Sequence, residues 1–171
     1  RVTGNVVYDT EAWALYLQNN HGSPLLVDNN VFAGTIATSS SGCVFAHNLY
    51  VDCPWIFIKP YALVSYWKPH TAERADTQVI TYGNDQHLNN VYVGRGSDVI
   101  PNGSGVLVDW NVLYGGAKRS AWGDRRSLVN EVFNPQVKFT DLPDGVEIRF
   151  RAELMPRLVK CPLITPELIG V

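Results

Sequence analysis

Trp13-Ala-Leu-Tyr-Leu-Gln-Asn-Asn-His-Gly-Ser-Pro-Leu-Leu-Val-Asp-Asn-Asn-Val-Phe32 holds two short apolar runs, each closed by asparagines, around a His-Gly-Ser-Pro corner. Its ending recurs as x-Asn-apolar-apolar at Gly4-Asn5-Val6-Val7, Asn29-Asn30-Val31-Phe32, His47-Asn48-Leu49-Tyr50, Asn89-Asn90-Val91-Tyr92 and Trp110-Asn111-Val112-Leu113. The asparagine-to-asparagine steps are 25, 18, 42 and 21 residues, the 42 being twice 21 or one turn with an insertion. A period near twenty, with several short strands per repeat, is the mark of a β-solenoid whose coils bury their apolar positions against one another. Asn tolerates the left-handed backbone that a sharp corner needs, and stacked amides can bond along the ladder. A β-sandwich also shows turn signals every ~8–12 residues, but it does not require one residue type at one place each time. The expected fold is therefore all-β, a right-handed parallel β-helix closed by a C-terminal β-hairpin cap.

The chain has 171 residues, a net charge of −2 and 18% charged residues, with no basic stripe or acidic tail to suggest nucleic acid. No apolar run reaches the ~18 residues that would suggest a membrane span. Its three cysteines, Cys43, Cys53 and Cys161, follow neither a disulfide nor a zinc spacing, and unpaired thiols lean toward a reducing compartment. Arg1 to Val6 reads as mid-coil with nothing capping it, so the expectation is the C-terminal portion of a larger protein or a first coil covered by a partner chain.

In chain order, Trp13, Leu15 and Leu17 should share one side of a strand and Ala14, Tyr16 and Gln18 the other. Lys59 to Thr77 breaks the rhythm as a polar, aromatic insertion. The coils should span residues 1–115, and residues 116–171 should form a capping segment packed on the solenoid. Lys118 to Arg126 reads as a solvated basic loop. Leu142-Pro143-Asp144-Gly145, between Val137-Lys138-Phe139 and Val146 to Phe150, reads as a hairpin turn. Asp28 suits a turn, and His47 and His87 suit hydrogen-bonding places beside the corners.

No Walker loop, dinucleotide fingerprint, HExxH or nucleophile elbow points to a cofactor or metal. The polar candidates are Gln18, His21, Asp28, Asp52, His70, Glu73 and Asp85. His21 to Phe32, Ala46-His47-Asn48-Leu49, Lys68-Pro69-His70-Thr71, Gly83-Asn84-Asp85 and the closing Pro162 to Gly170 together resemble bacterial right-handed parallel β-helix glycoside hydrolases of the β-xylosidase type. The resemblance covers nearly the whole chain, and only the C-terminal part of such an enzyme.

It implies a retaining mechanism on xylose-containing oligosaccharides, in which one carboxylate attacks the anomeric carbon and another protonates the leaving oxygen. The nucleophilic Asp would lie on a coil before Arg1, carried by an N-terminal β-helix portion in the same or another chain. The acid/base position falls on Gln18, whose amide cannot transfer a proton near neutral pH. Glu11, seven residues upstream, is too far to take its place within one strand. Three readings stay open: a natural non-catalytic homologue, an engineered substrate trap, or a relative using another acid. The resemblance places Lys68, His70 and Asp85 near the substrate groove, with Trp67 able to stack on a sugar and His21 at the corner as a further contact. The alternatives are a non-catalytic carbohydrate-binding or scaffolding β-helix, with homo-oligomers possible for either, and a polysaccharide lyase. The last needs clustered acidic calcium ligands, which this sequence lacks.

Overall fold

The protein is described by a computed structural model covering residues 1–17, 25–59, 63–121, 123–151 and Thr165. Its first coil is β1 (Val2–Thr3), β2 (Val6–Val7) and β3 (Trp13–Leu17). The second is β4 (Leu25–Asp28), β5 (Val31–Phe32) and β6 (Thr35–Thr38), and the third is β7 (Cys43–Ala46), β8 (Leu49–Val51) and β9 (Trp55–Phe57). An antiparallel hairpin, β10 (Leu63–Trp67) and β11 (Arg74–Val79), then leaves the solenoid. The fourth coil resumes with β12 (Gln86–Leu88) and β13 (Val91–Val93), and a 3-10 turn at Ser97–Val99 follows its second strand. β14 (Leu107–Asp109), β15 (Val112–Tyr114) and β16 (Leu128–Asn130) complete the stack, and the hairpin β17 (Lys138–Leu142) and β18 (Gly145–Arg149) follows.

The coils stack into three parallel sheets, ordered β1-β4-β7-β12-β14, β16-β15-β13-β8-β5-β2 and β3-β6-β9. This is a β-solenoid, as the recurring asparagines require. Those asparagines stand at the corner between the first and second sheets and form one continuous ladder. Asn5 Nδ2 donates to Asn30 Oδ1 at 2.9 Å, Asn30 Nδ2 to Asn48 Oδ1 at 2.9 Å, Asn48 Nδ2 to Asn90 Oδ1 at 3.1 Å and Asn90 Nδ2 to Asn111 Oδ1 at 3.2 Å. Each carbonyl also accepts the backbone N–H of the asparagine one coil back. The second amide hydrogen goes to a strand carbonyl, as from Asn90 to Phe45 O at 2.9 Å. A buried primary amide is thereby satisfied on both sides, which makes its burial tolerable.

The left-handed residue of the corner is the one before the ladder asparagine. Gly4, Asn29, His47, Asn89 and Trp110 hold φ of 70°, 55°, 56°, 58° and 54°. The two tasks expected of one asparagine are thus divided between neighbours. His47 takes a place of this kind, exposed, with Nε2 3.4 Å from Asn89 Nδ2. Trp110 is a bulky residue for that backbone; the Arg126 guanidinium lies over its ring at 3.6 Å, and its N–H bonds Asp109 Oδ1.

Inward side chains stack in register. Phe32, Tyr50 and Tyr92 form an aromatic column in the second sheet, with ring centroids 5.7 and 5.0 Å apart. In the first sheet His87 lies flat on Phe45 at 4.6 Å and meets the edge of Trp55. This corrects the expectation of a hydrogen-bonding turn role for His87: it is fully buried, and burial alone lowers its pKa to about 3. It serves as a neutral aromatic ring because the register of β12 on β7 places it opposite Phe45.

Two further expectations change at the C-terminal end. The strand rhythm continues past Gly115, because β16 pairs in parallel with β15, and Ser127 Oγ accepts the Asn111 N–H at 2.8 Å where the next asparagine would stand. The basic loop is partly tied down: Arg126 bonds Asp109, a buried carboxylate, at 2.7 Å, and Arg119 bonds Ser127 O. The Leu142-Pro-Asp-Gly145 hairpin forms as expected, and it reaches the first coil, where Phe139 stacks on Tyr8 at 4.7 Å and Asp141 accepts the Tyr8 hydroxyl.

Removing one rung tests the ladder. Asn90→Ala would leave the Asn48 backbone N–H and one Asn48 amide hydrogen without an acceptor and strip the side-chain donor from Phe45 O in a buried place, while Asn111 Oδ1 keeps the residue-90 N–H, at a cost of about 3 kcal/mol or more. Asn5→Ala, at an exposed rung, should cost less than about 1 kcal/mol. Urea midpoints of the two variants measure the difference; equal losses would deny the buried ladder its special weight.

Candidate functional site

The described part of the insertion, residues 63–77, turns around a tight tip. Lys68 N donates to Glu73 O at 2.9 Å, and the Thr71 hydroxyl donates to Lys68 O at 2.9 Å while accepting from Glu73 N at 3.2 Å. Lys68 also pairs with Glu73, though both side chains are more than half exposed, so the pair contributes little. The tip then folds back on the solenoid. A Cβ added to Gly42, which has φ 78°, would sit 3.2 Å from Pro69 Cα, so the absence of a side chain there permits the contact. His70, itself at φ 55°, places Nε2 2.6 Å from Asn84 O. A carbonyl only accepts, so Nε2 carries the hydrogen, and the buried Nδ1 meets no partner among the described residues.

Beneath this contact lies a buried polar clamp. Asp85 is fully buried; it accepts from the Ser40 hydroxyl at 2.6 Å and from Cys43 N at 2.8 Å. Ser40 in turn lies 2.6 Å from Thr38 Oγ1. Burial pushes the Asp85 carboxyl up to about 7, against the pull of those hydrogen bonds. The clamp ties the start of β12 to the corner between β6 and β7. It lies where the chain returns from the insertion to the solenoid.

Of the candidates from the sequence, Trp67, Lys68 and His70 come together on this tip. Trp67 is half-buried, with the Arg74 guanidinium 6.0 Å from its ring. Asp85 lies directly below, but its carboxylate is spent on internal bonds and has no exposed surface to offer a ligand. Asp28 bonds Arg1 through both oxygens, at 2.9 and 2.6 Å, and the guanidinium holds its carboxyl below the usual range. Asp52 is an exposed corner residue with φ 50°. Gln18 and His21 lie outside the described residues. Among those that are described, no three His, Cys, Asp or Glu side chains gather as a metal site.

One feature of the surface escaped the sequence. Trp13 and Tyr16 stack on each other, centroids 4.4 Å apart and planes 12° from parallel, and remain 47% and 37% exposed. Strict alternation had placed them on opposite sides. A register shift between Trp13 and Leu15 on β6 breaks the alternation, turning Ala14 inward and Trp13 outward. The pair stands on the strand that leads into Gln18.

Among solved structures the chain is similar to one titled "The complex structure of XylC with xylose", at 18% sequence identity and a TM-score of 0.65. The match covers 87% of this chain and 32% of that one, so this chain spans about a third of its length. At this identity the likeness speaks for the β-helix fold alone. No protein-family model and no curated protein matches the chain.

Asp85 makes the clamp pH-dependent. Its folded pKa, about 7, lies above the unfolded value of 3.8, so its contribution is complete below about pH 4 and is lost as pH rises through 7. Asp85→Asn keeps an acceptor for Cys43 N and a polar partner for Ser40 without the ionisation. The decline in urea midpoint between about pH 4 and 7 should flatten in this variant. An unchanged slope would assign the titration to another group.

Proposed function

We propose that this chain is the carbohydrate-binding C-terminal part of a β-helix glycoside hydrolase acting on xylose-containing oligosaccharides, with Gln18 at the acid/base position. The observation that carries the proposal is the structural match over 87% of the chain to a protein solved with xylose. Two features of this chain support it. The Trp67-Lys68-Pro69-His70 tip is rigidly seated on the solenoid and combines an aromatic ring with hydrogen-bonding groups, the combination that sugar rings and hydroxyls require. The exposed Trp13–Tyr16 stack adds apolar surface on the strand entering Gln18. In the retaining mechanism the nucleophilic Asp comes from a further β-helix portion. With an amide in place of the acid, Gln18 hydrogen-bonds the sugar and leaves an alkoxide leaving group unassisted.

The chain alone is therefore expected to bind xylotriose without hydrolysing it. Calorimetric titration should give a saturable, roughly millimolar isotherm. Trp67→Ala should weaken it by about 3- to 10-fold, on the order of 1 kcal/mol for a lost ring contact. Lack of saturable binding near the solubility limit would overturn the carbohydrate reading. In a protein that also carries the upstream Asp, Gln18→Glu should raise xylobiose turnover by about 10²–10⁴ while changing an activated aryl xyloside's first step little. An unchanged xylobiose rate would place the acid elsewhere.

A further inference from the structure

The outer face of the second sheet is unusually apolar for a solenoid flank: Val31, Leu49, Val91 and Val112 align on it, one per coil, each half-buried. The C-terminal segment crosses this face and is fixed at both ends. Phe139 stacks on Tyr8 at the first coil; at the other end Phe133 meets the edge of Tyr114 at 5.1 Å, and Arg151 N bonds Pro135 O at 2.7 Å. Between these anchors a cavity of about 250 Å³ remains. Leu49, Val91 and Val93 line it from the sheet, and Val137 and Phe150 from the hairpin's flanks. Among the described residues, Arg151 is the charged one that lines it, and Tyr114 lines it too. Arg151 also lines an adjoining, more polar cleft of about 480 Å³ with Asn130, Asn134 and Gln136. Gln136 holds a left-handed φ of 52° at that rim.

We propose that this cavity is a binding site for a small aryl carboxylate, with its ring among the valines and its carboxylate on Arg151. The volume sets the size class: an apolar cavity of ~150 Å³ accepts benzene, so ~250 Å³ accommodates a ring with a short side chain. The mostly apolar walls favour the ring, and among the described lining residues Arg151 supplies the positive charge, its planar fork suiting a carboxylate. The polar cleft beyond Arg151 leaves the head solvated, so the anion need not be stripped of water. The site lies on a different sheet from the hairpin tip, and it stands or falls independently of the sugar reading.

The probe is 3-phenylpropanoate, compared with the neutral 3-phenylpropanol, in amide chemical-shift titrations of the whole chain. Saturable shifts confined to Leu49, Val91, Val93, Val137 and Arg151 are expected, with the acid favoured by about 3- to 10-fold, as for a charge-assisted bond at a half-open rim. Arg151→Met should erase the preference for the acid while the alcohol still binds. Val91→Trp and, separately, Val137→Trp should fill the cavity and abolish both titrations; thermal melts identify whichever variant remains folded. Absent or scattered shifts, equal affinity for acid and alcohol in the unmodified chain, or binding that survives a folded Trp variant would each overturn the proposal.

Discussion

A primary amide buried in the wall of a solenoid constrains everything around it. Asn30, Asn48, Asn90 and Asn111 are each about 1% exposed or less, so their donors and acceptors have to find partners inside the protein. The partners are the next asparagine along and the strand carbonyls of neighbouring coils, which fixes the height of each coil on the one below. A one-residue slip would not merely move an amide; it would turn the inward side chains outward. The stacked Phe32, Tyr50 and Tyr92 and the Phe45–His87 pair follow from the same register. The left-handed residue before each ladder position supplies the sharp bend, and its side chain is left at the surface, where Asn, His and Trp all serve.

Such a lattice accepts an insertion wherever the chain returns at the right height. The β10–β11 hairpin does so between the third and fourth coils, and the step of 42 residues from Asn48 to Asn90 leaves their ladder bond intact. The return is secured from within by Asp85, which reaches the corner of the preceding coil through Ser40 and Cys43 N. It is secured from outside by His70 on Asn84 O and by Pro69 on Gly42. The tip carrying Trp67, Lys68 and His70 is consequently a rigid extension of the solenoid, a useful property for a residue set meant to meet a ligand.

The two ends of the described stack are tied by different means. At one, Arg1 covers the buried Asp28; at the other, Arg126 covers Asp109 and lies on Trp110, while Ser127 takes over the ladder. The C-terminal hairpin runs between them along the second sheet, joining Tyr8 of the first coil to the segment after the last. Its course explains why that sheet can present valine and leucine outward, and it leaves the cavity beside Arg151 as the gap between two fixed points.

What the sequence determined by itself was whatever depends on local period and repetition. Five asparagines, each before an apolar pair, specify stacked coils at one corner, and Leu-Pro-Asp-Gly specifies its hairpin, because both signals reside within a few neighbouring residues. The insertion was visible as a break in that rhythm. Only the tertiary structure decided what each polar or aromatic side chain meets, since its partner lies a coil away or more. A bulge against β6 carried Trp13 to the side of Tyr16; the pairing of β12 with β7 made His87 a core ring. The return of the hairpin buried Asp85 beneath Ser40, and Ser127 took an asparagine's place with a side chain that no Asn pattern can reveal. Alternation and propensity are properties of a strand, whereas burial and pairing belong to the stack, and the chemistry of the candidate site rests on the latter.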